Sequence, residues 1–224
     1  MTTAAPFFDF LSRLAANNNR EWFDANRSEY QALRSNLLRI TEEIIHQIQQ
    51  FDPSIGTITA SDCLFRINRD IRFSKNKDPY KTNMGVFMAR GGRKSTFAGY
   101  YLHLEPGASF IGGGVYMPMS PLLKKFRQEI FYNYPKFKSI VSAPEFVKTF
   151  GGLSDMGDRL TRPPKGYDNS FEGIDYLMNK HFVVGHSPDD KVFAKTDLVK
   201  SATEVFSVMK DFNTFLNVVV EEEV

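Results

Sequence analysis

The chain has 224 residues, with 28 Lys and Arg against 26 Asp and Glu and a formal net charge of +2 at pH 7. Its single cysteine excludes an intrachain disulfide framework and a cysteine-rich zinc site. The amino terminus has no basic segment ahead of an apolar one, and no apolar run approaches the roughly 20 residues that span a bilayer. We therefore expect a cytoplasmic protein without a signal peptide and without a membrane partner.

Helices are predicted for the first fifty residues. Asn18, followed three positions later by Glu21, fits a capping box that would open a short helix. A longer helix follows, because apolar residues recur at steps of three or four over residues 30–48. The pair Asp52-Pro53 should end it, since proline cannot donate the next helical hydrogen bond.

An antiparallel sheet is predicted for the middle of the chain. Residues 63–67 alternate apolar and other side chains with the period of a strand. Three further strands with short turns between them indicate a meander, at residues 84–89, 98–105 and 110–117. The glycines at residues 112–114 predict a close backbone approach or a bulge within the last of these strands.

The last third of the chain predicts helices again, with one more strand. Ser120-Pro121 should cap and start a helix, and Pro144 should open a second, short one. Residues 151–169 are rich in Gly, Pro and charge, which indicates irregular structure, and residues 181–185 could add a strand. A long amphipathic helix capped by Thr196 should follow. Its apolar positions are Leu198, Ala202, Val205, Met209, Phe212, Leu216 and Val219.

Together these elements predict an α+β fold. The expected architecture is an antiparallel sheet of about five strands, with a central meander, covered by N- and C-terminal helices. The sequence has no linker of disordered composition and no internal repeat, so we assign residues 1–224 to a single domain. The three glutamates at residues 221–223 are expected to form a solvated tail.

The most informative segment is a basic loop, residues 66–81. The wider window of residues 66–94 holds nine basic and two acidic residues, which gives it a net charge of +7. Because the whole chain has a net charge of +2, the residues outside the window have a net charge of −5. Such a concentration raises the local positive potential and favours an anionic partner. Within the loop, basic residues recur every three positions, which brings them together only in a 3-10-like turn or a curled loop. These residues are Arg66, Arg69, Arg72 and Lys75.

The chemistry of the basic loop predicts a pocket for an anion. The arginine fork matches carboxylate or phosphate oxygens two at a time, and a curled loop also turns backbone N–H groups inward. Alternatively, Asp70 pairs with Arg66 or Arg69, and the loop is a structural or merely solvated segment. The expected ligand-binding residues are Arg66, Arg69, Asp70, Arg72, Lys75, Asn76, Lys77 and Lys81.

The basic loop also resembles a known family. The family is uncharacterised and mostly bacterial, and is catalogued as domain of unknown function 2461. Its signature is similar to this chain at Arg66, Arg69, Asp70, Arg72, Phe73, Asn76, Lys77 and Tyr80. Residues 99–107 and 112–118 resemble the same family, so the resemblance covers nearly the whole chain. It implies a single domain of about this length and brings no activity, substrate or catalytic residue with it.

A second candidate site lies on the predicted strand at residues 98–105. Its alternation places Tyr101, His103 and Glu105 on one face. If that face meets the basic loop, His103 could act as a general base oriented by a carboxylate, and Tyr80 is the other candidate for proton transfer. Alternatively, the three side chains form the polar outer face of a half-exposed sheet. No histidine spacing suits a metal, so we expect neither a metal nor a cofactor.

The sequence therefore favours a protein that binds a small phosphate- or carboxylate-bearing ligand through the basic loop. Whether the protein acts on that ligand as an enzyme stays open, as does its oligomeric state. A nucleic-acid-binding module is one alternative, because aromatic and basic residues are interleaved here. A docking scaffold, in which the basic loop has a structural part or meets an acidic partner, is another.

Overall fold

The computed structural model describes residues 2–221, in which four strands form one antiparallel sheet. The strands are β1 (Met84–Met88), β2 (Gly99–Leu104), β3 (Phe110–Val115) and β4 (Phe182–His186). Each strand pairs with the next along the chain, so the spatial order is β1-β2-β3-β4. The register places Phe87 opposite Tyr101, Tyr101 opposite Gly112, and Gly112 opposite Gly185.

Along the chain, helices of the same range precede β1, connect β3 to β4 and follow β4. They are α1 (Ala5–Ala16), α2 (Arg20–Ala25), α3 (Arg27–Phe51), a 3-10 turn (Pro53–Ile55), α4 (Ala60–Cys63), α5 (Ser120–Tyr132), α6 (Tyr134–Val141), α7 (Pro144–Phe150), α8 (Ile174–Leu177), α9 (Asp190–Phe193) and α10 (Leu198–Glu221). The α+β class is thus confirmed.

The hydrophobic core forms where the two longest helices meet the sheet. Helix α10 packs against α3 and against β3. All seven apolar positions predicted for the last helix are buried, because their alternating steps of three and four keep them on one stripe. In β2, Tyr100, Leu102 and Leu104 point into this core, whereas Tyr101 and His103 lie on the opposite, half-buried face.

The sheet has four strands because the predicted strand at residues 63–67 does not form. Residues Ala60–Cys63 make a helical turn instead, since the Thr59 side chain accepts a hydrogen bond from the backbone N–H of Asp62. After this turn, Leu64 pairs with Val86 as an isolated bridge. The cap accounts for Cys63 alone, and the remaining residues of the predicted strand form no regular ladder with β1.

Two predicted helix caps shift by one residue. Asn19, rather than Asn18, caps α2 by accepting a hydrogen bond from the backbone N–H of Trp22. Asp197, rather than Thr196, caps α10, with its carboxylate 3.1 Å from the backbone nitrogen of Lys200. Asn18 is thereby left to bind the basic loop, as described below.

The glycines of β3 allow the close approach that their run predicted. A Cβ atom on Gly112 would collide with the carbonyl oxygen of Val184, and one on Gly113 would collide with that of Gly99. Met209 of α10 lies above Gly113, so the helix also approaches the sheet closely here. The glycine run therefore serves the packing of strands and helix.

Candidate functional site

The basic loop is closed at its base by a short antiparallel pairing. Asn68 and Tyr80 form an isolated bridge, the backbone N–H of Arg69 donates to Pro79 at 2.9 Å, and that of Lys81 donates to Ile67 at 2.8 Å. This stem continues toward the edge strand β1, since the N–H of Phe65 donates to the carbonyl of Gly85 at 3.0 Å. The loop is thus an extension of the sheet edge.

Tyr80 anchors the stem to the N-terminal helices. Its buried ring stacks on Phe23 at 3.9 Å and 15°. The Asn18 side chain binds both backbone groups of Tyr80: its Oδ1 accepts from the N–H at 3.1 Å, and its Nδ2 donates to the carbonyl at 3.0 Å. The Tyr80 hydroxyl forms no hydrogen bond with any residue of the range 2–221. The position of Tyr80 therefore suits an anchor.

Several predicted ligand-binding residues hold the loop together internally. The Arg69 guanidinium donates to the carbonyl of Asp78 at 3.1 Å and to the hydroxyl of Ser74 at 3.3 Å. Lys77 Nζ donates to the carbonyl of Ile71 at 3.0 Å. The Asn76 side chain accepts from the backbone N–H of Asp78 at 2.7 Å. These bonds fold the loop back on itself and direct Arg69 and Lys77 at the loop's own backbone.

Arg72 is neutralised within the loop by Asp70. Two guanidinium nitrogens meet the two carboxylate oxygens at 3.0 and 2.7 Å, the geometry expected of a bidentate pair. The Arg72 side chain and backbone N–H together hold the pKa of the Asp70 carboxyl below its usual range. The pair is formed with Arg72, rather than with Arg66 or Arg69. Beside it, the Phe73 side chain is 94% exposed.

Arg66 and Lys81, which we call the cation pair, form no salt bridge within residues 2–221, although the pKa of Asp70, lowered mainly by Arg72, is lowered in part by the charge of Arg66. Lys81 is half-buried, and its Nζ lies 5.5 Å from the ring centroid of Phe65. Burial lowers the pKa of Lys81, and the nearby positive charge of Arg66 lowers it further. Lys75 is exposed and also has no ion pair in this range. Lys81 is therefore the half-buried cation of the stem, with the exposed Arg66 close enough to affect its ionisation.

The Tyr-His-Glu row (Tyr101, His103 and Glu105) is joined by hydrogen bonds along β2 and just beyond it. The Tyr101 hydroxyl lies 2.9 Å from His103 Nδ1, and His103 Nε2 lies 2.9 Å from a carboxylate oxygen of Glu105. Burial raises the pKa of Tyr101 to about 12, with a smaller contribution from the Glu105 charge. The side chains bond to one another, in contrast to a simply solvated polar face.

The row and the basic loop meet through residues that were not among the predicted site residues. Phe65 lies edge-on to Tyr101, with ring centroids 6.2 Å apart, and also contacts Lys81. Thr82 follows Lys81 and donates to Glu105 Oε1 at 3.0 Å. Gly85 is needed as well, because a Cβ atom there would lie 2.5 Å from the Tyr101 hydroxyl oxygen. A glycine inside the apolar strand was the one available signal for this contact.

Residues 2–221 show neither of two other site types. Within this range, no group of three or more His, Cys, Asp or Glu side chains is arranged to hold a metal ion. None of its helices combines the length and the apolar character needed to cross a membrane.

Comparisons with known proteins concern the chain as a whole. A family model described as "Conserved hypothetical protein (DUF2461)" matches residues 6–215. A search of curated proteins and a search of solved structures each gave no match. Because the family match covers far more than half of the sequence, the chain belongs to the DUF2461 family of conserved hypothetical proteins.

Proposed function

We propose that the protein binds a small phosphate- or carboxylate-bearing ligand at the stem of the basic loop, with the cation pair as its primary ligands. The observation that carries this proposal is the placement of Lys81, a half-buried ammonium 5.5 Å from the Phe65 ring centroid that forms no salt bridge within residues 2–221. Burial and the neighbouring Arg66 charge lower its pKa in keeping with that placement. An anion between the two side chains would relieve both the desolvation and the mutual repulsion.

The remaining predicted residues support the cation pair in different ways. Arg69, Asn76 and Lys77 maintain the curl of the loop through bonds to its backbone. Arg72 is already bonded to Asp70, so a ligand would gain less from it. Lys75 adds exposed charge, Tyr80 anchors the stem, and His103 is the candidate for proton transfer.

A nucleic-acid-binding function is the second candidate, because one aromatic side chain protrudes from the basic loop. Phe73 is 94% exposed, and the guanidinium carbon of Arg72 lies 5.9 Å from its ring centroid. An exposed ring flanked by basic residues can stack on an unpaired base while phosphates are held nearby. Docking to an acidic protein would use the same surface but would not require the ring to stack.

A thermal-shift screen tests the primary proposal. The probes are inorganic phosphate, pyrophosphate, citrate and a nucleoside monophosphate at fixed ionic strength. A probe present at 100 times its Kd should stabilise the protein by about 2.7 kcal/mol, or about 5–10 °C for a chain of this size. The shift should disappear in Arg66→Gln and Lys81→Gln. It should persist in Arg72→Gln, a matched loss of charge in the same loop.

The outcomes separate the candidate functions. A shift that survives Arg66→Gln and Lys81→Gln would contradict the cation pair as the binding site. If the screen is flat while oligo(dT) binds with a steep salt dependence that Phe73→Ser weakens, the nucleic-acid function is favoured instead. If neither small anions nor oligo(dT) bind, a structural or protein-docking part for the loop is favoured.

A further inference from the structure

The hydrogen bonds of the Tyr-His-Glu row fix the direction in which a proton can move. An ionised carboxylate can only accept hydrogen bonds, so His103 Nε2 must carry the proton that faces Glu105. In the neutral ring, His103 Nδ1 is then a lone-pair acceptor, and the Tyr101 hydroxyl donates to it at 2.9 Å. Within residues 2–221, no donor bonds the lone pairs of the Tyr101 oxygen, so that oxygen keeps its capacity to accept a proton.

Packing holds the row in this arrangement. The His103 ring stacks on Phe110 at 4.9 Å and 19°, and its side chain is only 12% exposed. The second carboxylate oxygen of Glu105 accepts from the Thr82 hydroxyl, and the Glu105 N–H donates to Ser109 at 3.0 Å. A base whose orientation is fixed by a third group, next to a hydroxyl, is the arrangement that activates nucleophiles and proton donors in enzymes.

We propose that the Tyr-His-Glu row is a proton-accepting relay that deprotonates a hydroxyl group or a water molecule held against the Tyr101 oxygen. As that group loses its proton to Tyr101, the Tyr101 proton passes to His103 Nδ1. Tyr101 is unchanged at the end of the step, and His103 has become an imidazolium stabilised by the Glu105 carboxylate. No electron acceptor or other co-reactant is required.

The relay deepens the proposed function, on which it rests for the chemistry of its substrate. The Phe65 ring lies 6.2 Å from the Tyr101 ring and 5.5 Å from Lys81 Nζ, and Thr82, which donates to Glu105, follows Lys81 in the chain. The substrate class is therefore an anionic small molecule whose charged group meets the cation pair while the activated hydroxyl or water reaches Tyr101. The cations would also stabilise negative charge that develops on the deprotonated oxygen.

Tyrosine labelling by benzenesulfonyl fluoride tests the relay without a known substrate. The Tyr101 oxygen forms a bond to sulfur, the sulfur–fluorine bond breaks, fluoride leaves, and the phenolic proton passes to His103. The rate is followed for each tyrosine by peptide mass spectrometry on the full chain. Tyr116 is a matched control, because it is 61% exposed and its ring stacks on His181 at 4.8 Å, with no hydrogen bond from its hydroxyl within residues 2–221.

In the wild-type protein, Tyr101 should react about 100-fold faster than it does in His103→Gln, the scale of general-base assistance. Glu105→Gln should slow Tyr101 as well, with the Tyr116 rate unchanged as the internal standard of the labelling reaction. Nitrogen-15 NMR of the wild-type protein should show the His103 proton on Nε2, and Glu105→Gln should weaken that preference. If His103→Gln leaves the Tyr101 rate unchanged, the relay is wrong. Because labelling needs no anion, such a failure is distinct from a flat thermal-shift screen.

Discussion

The Asn18 side chain should control how firmly the basic loop is closed. Asn18→Ala removes two hydrogen bonds to the backbone of Tyr80, at 3.1 and 3.0 Å, and leaves both backbone groups in a part-buried setting without their partner. At about 1 kcal/mol for each bond, the expected loss is about 2 kcal/mol. If this loss falls on the local opening of the loop, the open population rises about 30-fold, since about 1.4 kcal/mol corresponds to tenfold.

Limited trypsin digestion measures that opening. Cleavage after Lys81 requires the stem to separate, because its backbone N–H is bonded to Ile67 at 2.8 Å. The rate of this cleavage should therefore rise about 30-fold in Asn18→Ala when closing is fast relative to proteolysis. Asn17→Ala is the matched control, since Asn17 makes a single exposed bond to the carbonyl of Arg13. Equal cleavage rates in the two variants would refute the anchoring account of Asn18.

Three further predictions concern the scaffold around the site. Burial raises the pKa of the Cys63 thiol to about 12, so Cys63 should resist Ellman's reagent at pH 8 and should react once the protein unfolds. A fast reaction of the folded protein with the reagent would contradict the buried position of Cys63. The backbone N–H of Lys200 holds the pKa of Asp197 below its unfolded value, so this cap stabilises α10 above pH 4 or so and is lost as pH falls through the folded pKa. The difference in unfolding free energy between wild type and Asp197→Asn, measured in urea, should shrink over that acid range; a constant difference would exclude the linkage. In urea unfolding, Gly112→Ala should cost about 3 kcal/mol, because its Cβ atom would meet backbone atoms of β4. Gly185→Ala, directly opposite, should cost far less, because its Cβ atom would meet only side-chain atoms, at 3.7 and 3.8 Å. Equal costs for the two variants would argue against this packing.

Periodic signals in the sequence predicted the scaffold well. The apolar positions from Leu198 to Val219 lie on a helix and are buried, because apolar residues spaced by three and four positions all fall on one face of a helix. The meander followed from its turn residues in the same way. By contrast, the alternation at residues 63–67 did not give a strand. Cys63 ends a helical turn capped by Thr59, and Leu64 pairs with β1 only as an isolated bridge. A short alternating segment is a weak signal, because its neighbours and pairing partners decide its structure.

The candidate site was predictable in its residue types but not in its pairings. Arg69 and Arg72 share a spacing, yet Arg69 bonds a backbone carbonyl, whereas Arg72 pairs with Asp70. Spacing alone cannot show which acceptor lies nearest once the chain curls. The face that carries Tyr101 and His103 followed from the strand period, but the bond between them depends on χ angles and on the space above Gly85. Phe65, which links the row to Lys81, was assigned to a strand that does not form.

The ionisation of Lys81 is the most direct test of the cation pair. Lysine side-chain NMR on carbon-13-labelled protein would follow its titration in anion-free buffer and again with inorganic phosphate. The pKa of Lys81 should lie below the ordinary value for lysine without phosphate and should rise when phosphate is added. The rise should be absent in Arg66→Gln. If Lys81 titrates at the ordinary lysine value and does not respond to phosphate, the cation pair is not an anion site.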